Sequence, residues 1–185
     1  MKILISSCVF GNRVRWNATN RRSEEIHEWA ETNGFELVPV CPEHELFGTP
    51  RKSIRLRQKD DEVLGIMGNQ EVFGQLKDKC DEIAERHNDV VGFIGISNSP
   101  SCGLSTGVKD RGSTIKAPMH QSLGCPTTEI SSKPLASAHS CISSERRLLP
   151  FHLTLFPNTH ELISIFILHS GTFYSLEVGY HNILF

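Results

Sequence analysis

The chain has no apolar run near the roughly 20 residues that cross a bilayer. Its longest candidate, Leu162 to Leu168, is seven residues long and already contains Ser164. No membrane-spanning helix and no membrane partner are therefore expected. Net charge is nearly absent too: 19 Lys and Arg against 21 Asp and Glu leave −2, which excludes a strongly basic nucleic-acid coat protein. No CxxC pair occurs among the six cysteines, so the short knuckle usual in structural zinc sites is missing. Dithiol exchange, which wants two adjacent thiols, is disfavoured for the same reason. Gly103-Leu104-Ser105-Thr106-Gly107-Val108-Lys109 is not a phosphate-binding Walker loop, because its glycines are too close and its lysine is displaced. The apolar run Ile3-Leu4-Ile5 breaks at once into Ser6-Ser7-Cys8, too short for a signal h-region. A cytoplasmic, reducing setting is expected, with thiols free for metals or catalysis.

What is present is a globular composition, 38% hydrophobic and 22% charged over 185 residues, enough for one domain with an appendage. The charge is not spread evenly. Residues 1–131 hold 16 Lys and Arg and 18 Asp and Glu, whereas 132–185 hold three of each. The same tail carries five of nine His, five of ten Phe and both Tyr, with no helical period and alternation only in scraps such as Phe173 to Val178. The division is therefore drawn as an α/β domain over 1–131 and an atypical tail over 132–185. The tail has the marks of a segment read out of frame or left disordered; the plainer alternative is a small β-rich extension.

Within the first part, buried strands are predicted at Lys2–Ser7, Phe35–Val40 and Val90–Ile96. Between them Ser23 caps a predicted helix with Ile26, Trp29 and Ala30 on one face and Asn33-Gly34 as its stop. A second helix over 70–87 is predicted from Val72, Leu76, Cys80, Ile83, Ala84 and His87. Ile54 and Leu56 alternate as a short hairpin with 62–66 would. This order predicts a parallel α/β sheet, whose ligands collect at the carboxyl ends of the strands.

Three cysteines fall at those ends, where the strands are expected to pass into polar turns rich in Gly and Pro: Cys8, Cys41 and Cys102. A thiolate triad suits an iron–sulfur cluster or zinc, and His44 would complete a Cys3His zinc site. Cys80 reads as packing on a helix face, Cys125 as packing beside a proline, and Cys141 as part of the tail.

The segments Ser6-Ser7-Cys8 with Gly11-Asn12-Arg13-Val14-Arg15-Trp16-Asn17, Val38-Pro39-Val40-Cys41-Pro42-Glu43, and Ser99-Pro100-Ser101-Cys102-Gly103 resemble the DUF523 family, the thiouracil desulfurases known as TudS. The likeness runs from residue 1 to about 130 and stops where a closing helix is expected. It implies a three-layer Rossmann-like parallel sheet with a [4Fe–4S] cluster on Cys8, Cys41 and Cys102 at the carboxyl ends of the strands. It further implies desulfuration of a thiolated pyrimidine, of 2-thiouracil or thiouridine type, replacing C=S by C=O with release of sulfide. The substrate would be a small nucleobase, nucleoside or nucleotide, with tRNA left open. The competing class is a non-catalytic zinc- or cluster-binding regulatory or sensor protein.

Such chemistry needs a proton carrier beside the metal site. Glu43 and Glu45, just beyond Cys41, are candidate acid/base groups, and Ser101 is a candidate hydrogen-bond donor beside Cys102. Trp16 would stack on a pyrimidine. Arg13 and Arg15, or the run Arg51, Lys52, Arg55 and Arg57, would meet substrate charge; each also reads as a solvated surface.

Overall fold

A computed structural model describes residues 1–60, 62–103, 106–108, 114–115, 117–123, 163–169 and 172–178. Ile3, Leu4 and Ile5 are successive apolar residues, and all three are fully buried. A strand can bury consecutive side chains only when both its faces are covered, and that places β1 (Lys2–Ser6) in the middle of a sheet. Its neighbours are β2 (Glu36–Val40) and β6 (Gly92–Ile96), both parallel to it. Ile5 pairs Pro39 on one side and Ile94 on the other.

Two apolar clusters form on the alternating faces. Ile3, Ile5, Ile94 and Ile96 meet Ile26 and Ala30 of α2 (Glu24–Thr32) and Val9 of the one-turn helix α1 (Ser7–Phe10). Leu4 and Phe93 meet Cys80 and Ile83 of α4 (Phe73–Arg86) and Met119 of α5 (Pro118–Ser122). The period of two in the strands thus sorts side chains between two helical covers. The mixed α/β class and the three parallel strands agree with the sequence reading.

The link from β2 to β6 also holds α3 (Pro42–Phe47) and a small antiparallel sheet, β3 (Ile54–Lys59), β4 (Glu62–Met67) and β5 (Gln70–Glu71). Ile54 and Leu56 of β3 are buried, while Arg55 and Arg57 are exposed. A short pair, β7 (Thr106–Gly107) and β8 (Thr114–Ile115), precedes α5.

Two expectations need correction. The strand over 35–40 is not buried throughout: β2 is an edge strand of its sheet, and its Glu36 and Pro39 are exposed. Proline cannot donate to a ladder and belongs at a sheet edge; Pro39 carried that information. Cys8 stands inside α1 rather than in a turn.

In the tail, β9 (Ile163–His169) pairs antiparallel with β6, and β10 (Thr172–Val178) pairs antiparallel with β9. The rest of 132–185 lies outside the described residues, as do Cys125 and Cys141. Among the described residues, no helix is long and apolar enough to cross a membrane.

Candidate metal and substrate site

The chain leaves β1 to reach β2 on one side and returns to β6 on the other. Such a reversal opens a crevice at the carboxyl ends of the strands. A cavity of about 480 Å³ lies there, and Cys8, Cys41 and Cys102 all line it. Its size is that of a small-ligand site. Cys8 and Cys102 are buried, at 9% and 3% exposure, and all three thiols are free.

Each cysteine is placed by local structure. Cys8 is in α1, directly after β1. Cys41 is the N-cap of α3, with Pro42 as the first helical residue, where a missing N–H costs nothing. Cys102 sits in a turn drawn tight by the Ser99 hydroxyl, which accepts from the Cys102 amide at 3.1 Å, and by Gly103 N–H donating to Ser99 O at 3.0 Å. That turn passes directly over β6. A Cβ on Gly95 would stand 2.1 Å from the Cys102 carbonyl oxygen; only glycine admits the approach. Nothing in the sequence reading singled out Gly95, whose only signal is a glycine interrupting a buried strand.

Burial sets the electrostatics. It pushes the Cys8 thiol up to about 11, with Cys41 and Glu43 adding to the rise and Arg15 opposing it. It pushes Cys41 up to about 12, Cys102 and Glu43 adding, the His44 amide and Arg51 opposing. Cys102 is also pushed up to about 12 by burial, against the hydroxyls of Ser101 and Ser6. At neutral pH these raised values keep the thiols protonated, and a cationic centre would supply the charge that makes thiolates favourable.

The donor set fits an iron–sulfur cluster in kind: three sulfurs from distant segments share one cavity. Among the described residues, no group of three or more His, Cys, Asp or Glu is arranged to hold a metal ion. His44, the proposed fourth zinc ligand, does not line the cavity; its Nδ1 is 2.8 Å from Thr49 Oγ1.

The predicted acid/base and substrate residues divide. Glu43 is buried and lines the cavity; its Oε1 accepts from Ser101 Oγ at 2.8 Å and its Oε2 from Arg51 Nη2 at 2.7 Å. Ser101 Oγ is also 3.5 Å from Cys102 Sγ. Glu45 is outside the lining and pairs with Arg86 of α4 at 2.9 Å. Arg15 and Trp16 line the cavity, Trp16 half-exposed at its rim; Arg13 is exposed and outside the lining. Of the basic run, Arg51 lines the cavity, whereas Lys52, Arg55 and Arg57 are exposed and do not. By position in the chain Arg51 belongs with those surface charges, and its pairing with Glu43 is a tertiary contact. The eight-residue spacing across Gly48 and Pro50 gave no local signal for it.

A family model described as 2-thiouracil desulfurase matches residues 3–134. Among solved structures, the chain is similar to a [4Fe–4S]-dependent thiouracil desulfidase, TudS, with 19% identity and a TM-score of 0.48 over 66% of this chain and 84% of that one. No curated protein matches.

Proposed function

The chain belongs to the 2-thiouracil desulfurase family, and from that premise we propose that it converts C=S to C=O in a thiolated pyrimidine and releases sulfide. Cys8, Cys41 and Cys102 would hold a [4Fe–4S] cluster. The observation that carries the reading is their meeting in one cavity from positions far apart in the chain. When bound, a cluster with three protein ligands supplies a Lewis-acidic iron with a position open to sulfur.

The residues supply the remaining chemistry. The net change is C=S plus water giving C=O plus H₂S, with no oxidant or reductant. Glu43 is assigned the acid/base role, since it is buried in the cavity and hydrogen-bonded to Ser101. It takes the proton of the attacking water and returns one to the departing sulfur. Ser101 holds its hydroxyl between that carboxylate and Cys102, positioned to orient the water. Glu45, engaged with Arg86, ties α3 to α4 instead of moving protons. Trp16 offers a stacking face at the rim, and Arg15 a donor fork within the cavity. Arg13, outside the lining, would reach only a substrate that extends past the base, such as a nucleotide or tRNA.

The same reading assigns the α2 cover on one face and the α4 and α5 cover on the other to a Rossmann-like three-layer plan. Free thiols here call for a reducing, cytoplasmic compartment.

Anaerobic reconstitution tests the proposal. The expected protein is brown, holds roughly four irons per chain, and releases sulfide from 2-thiouracil or 4-thiouridine. Alanine at Cys8, Cys41 or Cys102 should each lower the iron content. Iron content unchanged in all three variants overturns the ligand assignment. Thio-base binding by the loaded protein without sulfide release would instead make it a sensor.

A further inference from the structure

We propose that Arg51 is a positioning residue for this site: one buried guanidinium fixes both the Glu43 carboxylate and the loop that carries Trp16. The consequence for turnover rests on the desulfurase reading; the geometric part does not.

The Arg51 side chain is 5% exposed, although it belongs to a run whose other cations face solvent. Its Nη2 donates to Glu43 Oε2 at 2.7 Å. Its Nη1 donates to the carbonyl oxygens of Val14 at 2.9 Å and Gly48 at 3.1 Å, and to Thr49 Oγ1 at 3.3 Å. Its main-chain amide donates to Trp16 O at 2.9 Å. One residue thus binds the loop on both sides of Arg15 and, through the same side chain, the carboxylate on α3. Glu43 passes the constraint on, because its other oxygen accepts from Ser101 beside Cys102.

The chemistry explains why arginine stands here. A buried carboxylate requires a counter-charge and donors for its oxygens. Lysine would supply the charge as a point donor, whereas the planar fork holds acceptors in two directions at once. The geometry favours positioning over a direct contact to substrate charge: both terminal nitrogens are engaged by protein oxygens, and Nε, which has no hydrogen-bond partner among the described residues, is itself buried.

A paired measurement tests the assignment. In full-length protein carrying Trp29→Phe, Trp16 is the sole tryptophan, and acrylamide quenching of its emission reports how firmly the loop is held, without substrate or metal. Arg51→Lys should raise that quenching about twofold as the carbonyl contacts are lost. In the reconstituted enzyme the same variant should raise KM about tenfold, with a smaller loss in kcat. Arg51→Gln, which also removes the counter-charge of Glu43, should lower kcat by on the order of a hundredfold or more. If Arg51→Gln does not fold, Arg51→Lys alone decides. Unchanged quenching and unchanged KM in folded Arg51→Lys overturn the proposal. If the loaded wild-type protein releases no sulfide, the desulfurase reading fails, and the quenching measurement still decides the role of Arg51.

Discussion

The two faces of the parallel sheet are covered by helices of different kinds. On one face, α2 is nine residues long and starts at Ser23, whose side chain accepts the Ile26 amide. It ends at Asn33 and Gly34, the latter at φ +69°. On the other face, α4 is fourteen residues long and has no side-chain cap at Val72. Its first amide, from Phe73, goes instead to Glu71 Oε1 at 2.8 Å, which also takes the Gly65 amide of β4. One helix carries its own boundaries; the other borrows them from the small sheet. Cys8 and Cys41 belong to the first face, Cys102 and Cys80 to the second. The candidate site straddles the edge where the two covers meet, so it depends on both.

The largest test of that dependence is core truncation. Ile26 and Ile83 are both fully buried, one under each cover. Ile26→Ala and Ile83→Ala should each cost about 2–5 kcal/mol in urea melts. A loss confined to one of them would mean that only one face carries the fold.

A smaller effect separates the site from its cover. Gly95→Ala drives a methyl against the Cys102 carbonyl and should cost about 1–3 kcal/mol as the turn is displaced. It should also lower iron uptake, whereas Ile26→Ala, once folded, should not. Full uptake by Gly95→Ala would show that the turn can move without disturbing Cys102.

Next comes pH. The ordinary thiol value is 9.0, and burial raises Cys8 to about 11 and Cys41 and Cys102 to about 12. The folded protein keeps protons that the unfolded chain releases. The metal-free stability is therefore complete below pH 9 and is lost as pH rises towards 12. By about pH 10 the loss should be on the order of 1 kcal/mol per thiol relative to neutral pH. Urea midpoints under reducing conditions measure it, and a flat profile in this range would contradict the buried thiols on both faces.

The smallest effect distinguishes the helices themselves. Ser23→Ala should cost about 1 kcal/mol. Substitution at Val72 has no cap to remove, so any loss there comes from packing against Ile54 and Leu76.

This contrast explains what could be read along the chain. Ser23, Gly34 and the spacing of Leu76, Cys80 and Ile83 made both helices visible, because caps and periodicity are local. Lys2–Ser7 is legible as a buried strand for a similar reason, since its apolar residues run without a break; its place between β2 and β6 is not. The edge position of β2 was signalled by Pro39 and Glu36, yet its apolar residues alone suggested burial. For the site, the strand-end cysteines and the neighbouring Glu43 and Ser101 stood out from position. The separation of Glu43 from Glu45 did not. Two residues apart on a short helix, they point in different directions, one to Ser101 and Arg51, the other to Arg86.

By itself, the amino-acid order determined the alternation of strands and helices over the first part, the placing of three cysteines after strands, and the family. Those properties depend on neighbours within a few residues or on motifs read in line. Tertiary structure alone decided that β9 and β10 extend the sheet beside β6, that Gly95 must be bare under Cys102, and that Arg51 leaves the basic surface to hold Glu43. Each of these is a contact between segments far apart in the chain, where register, close approach and burial, rather than local propensity, set the outcome.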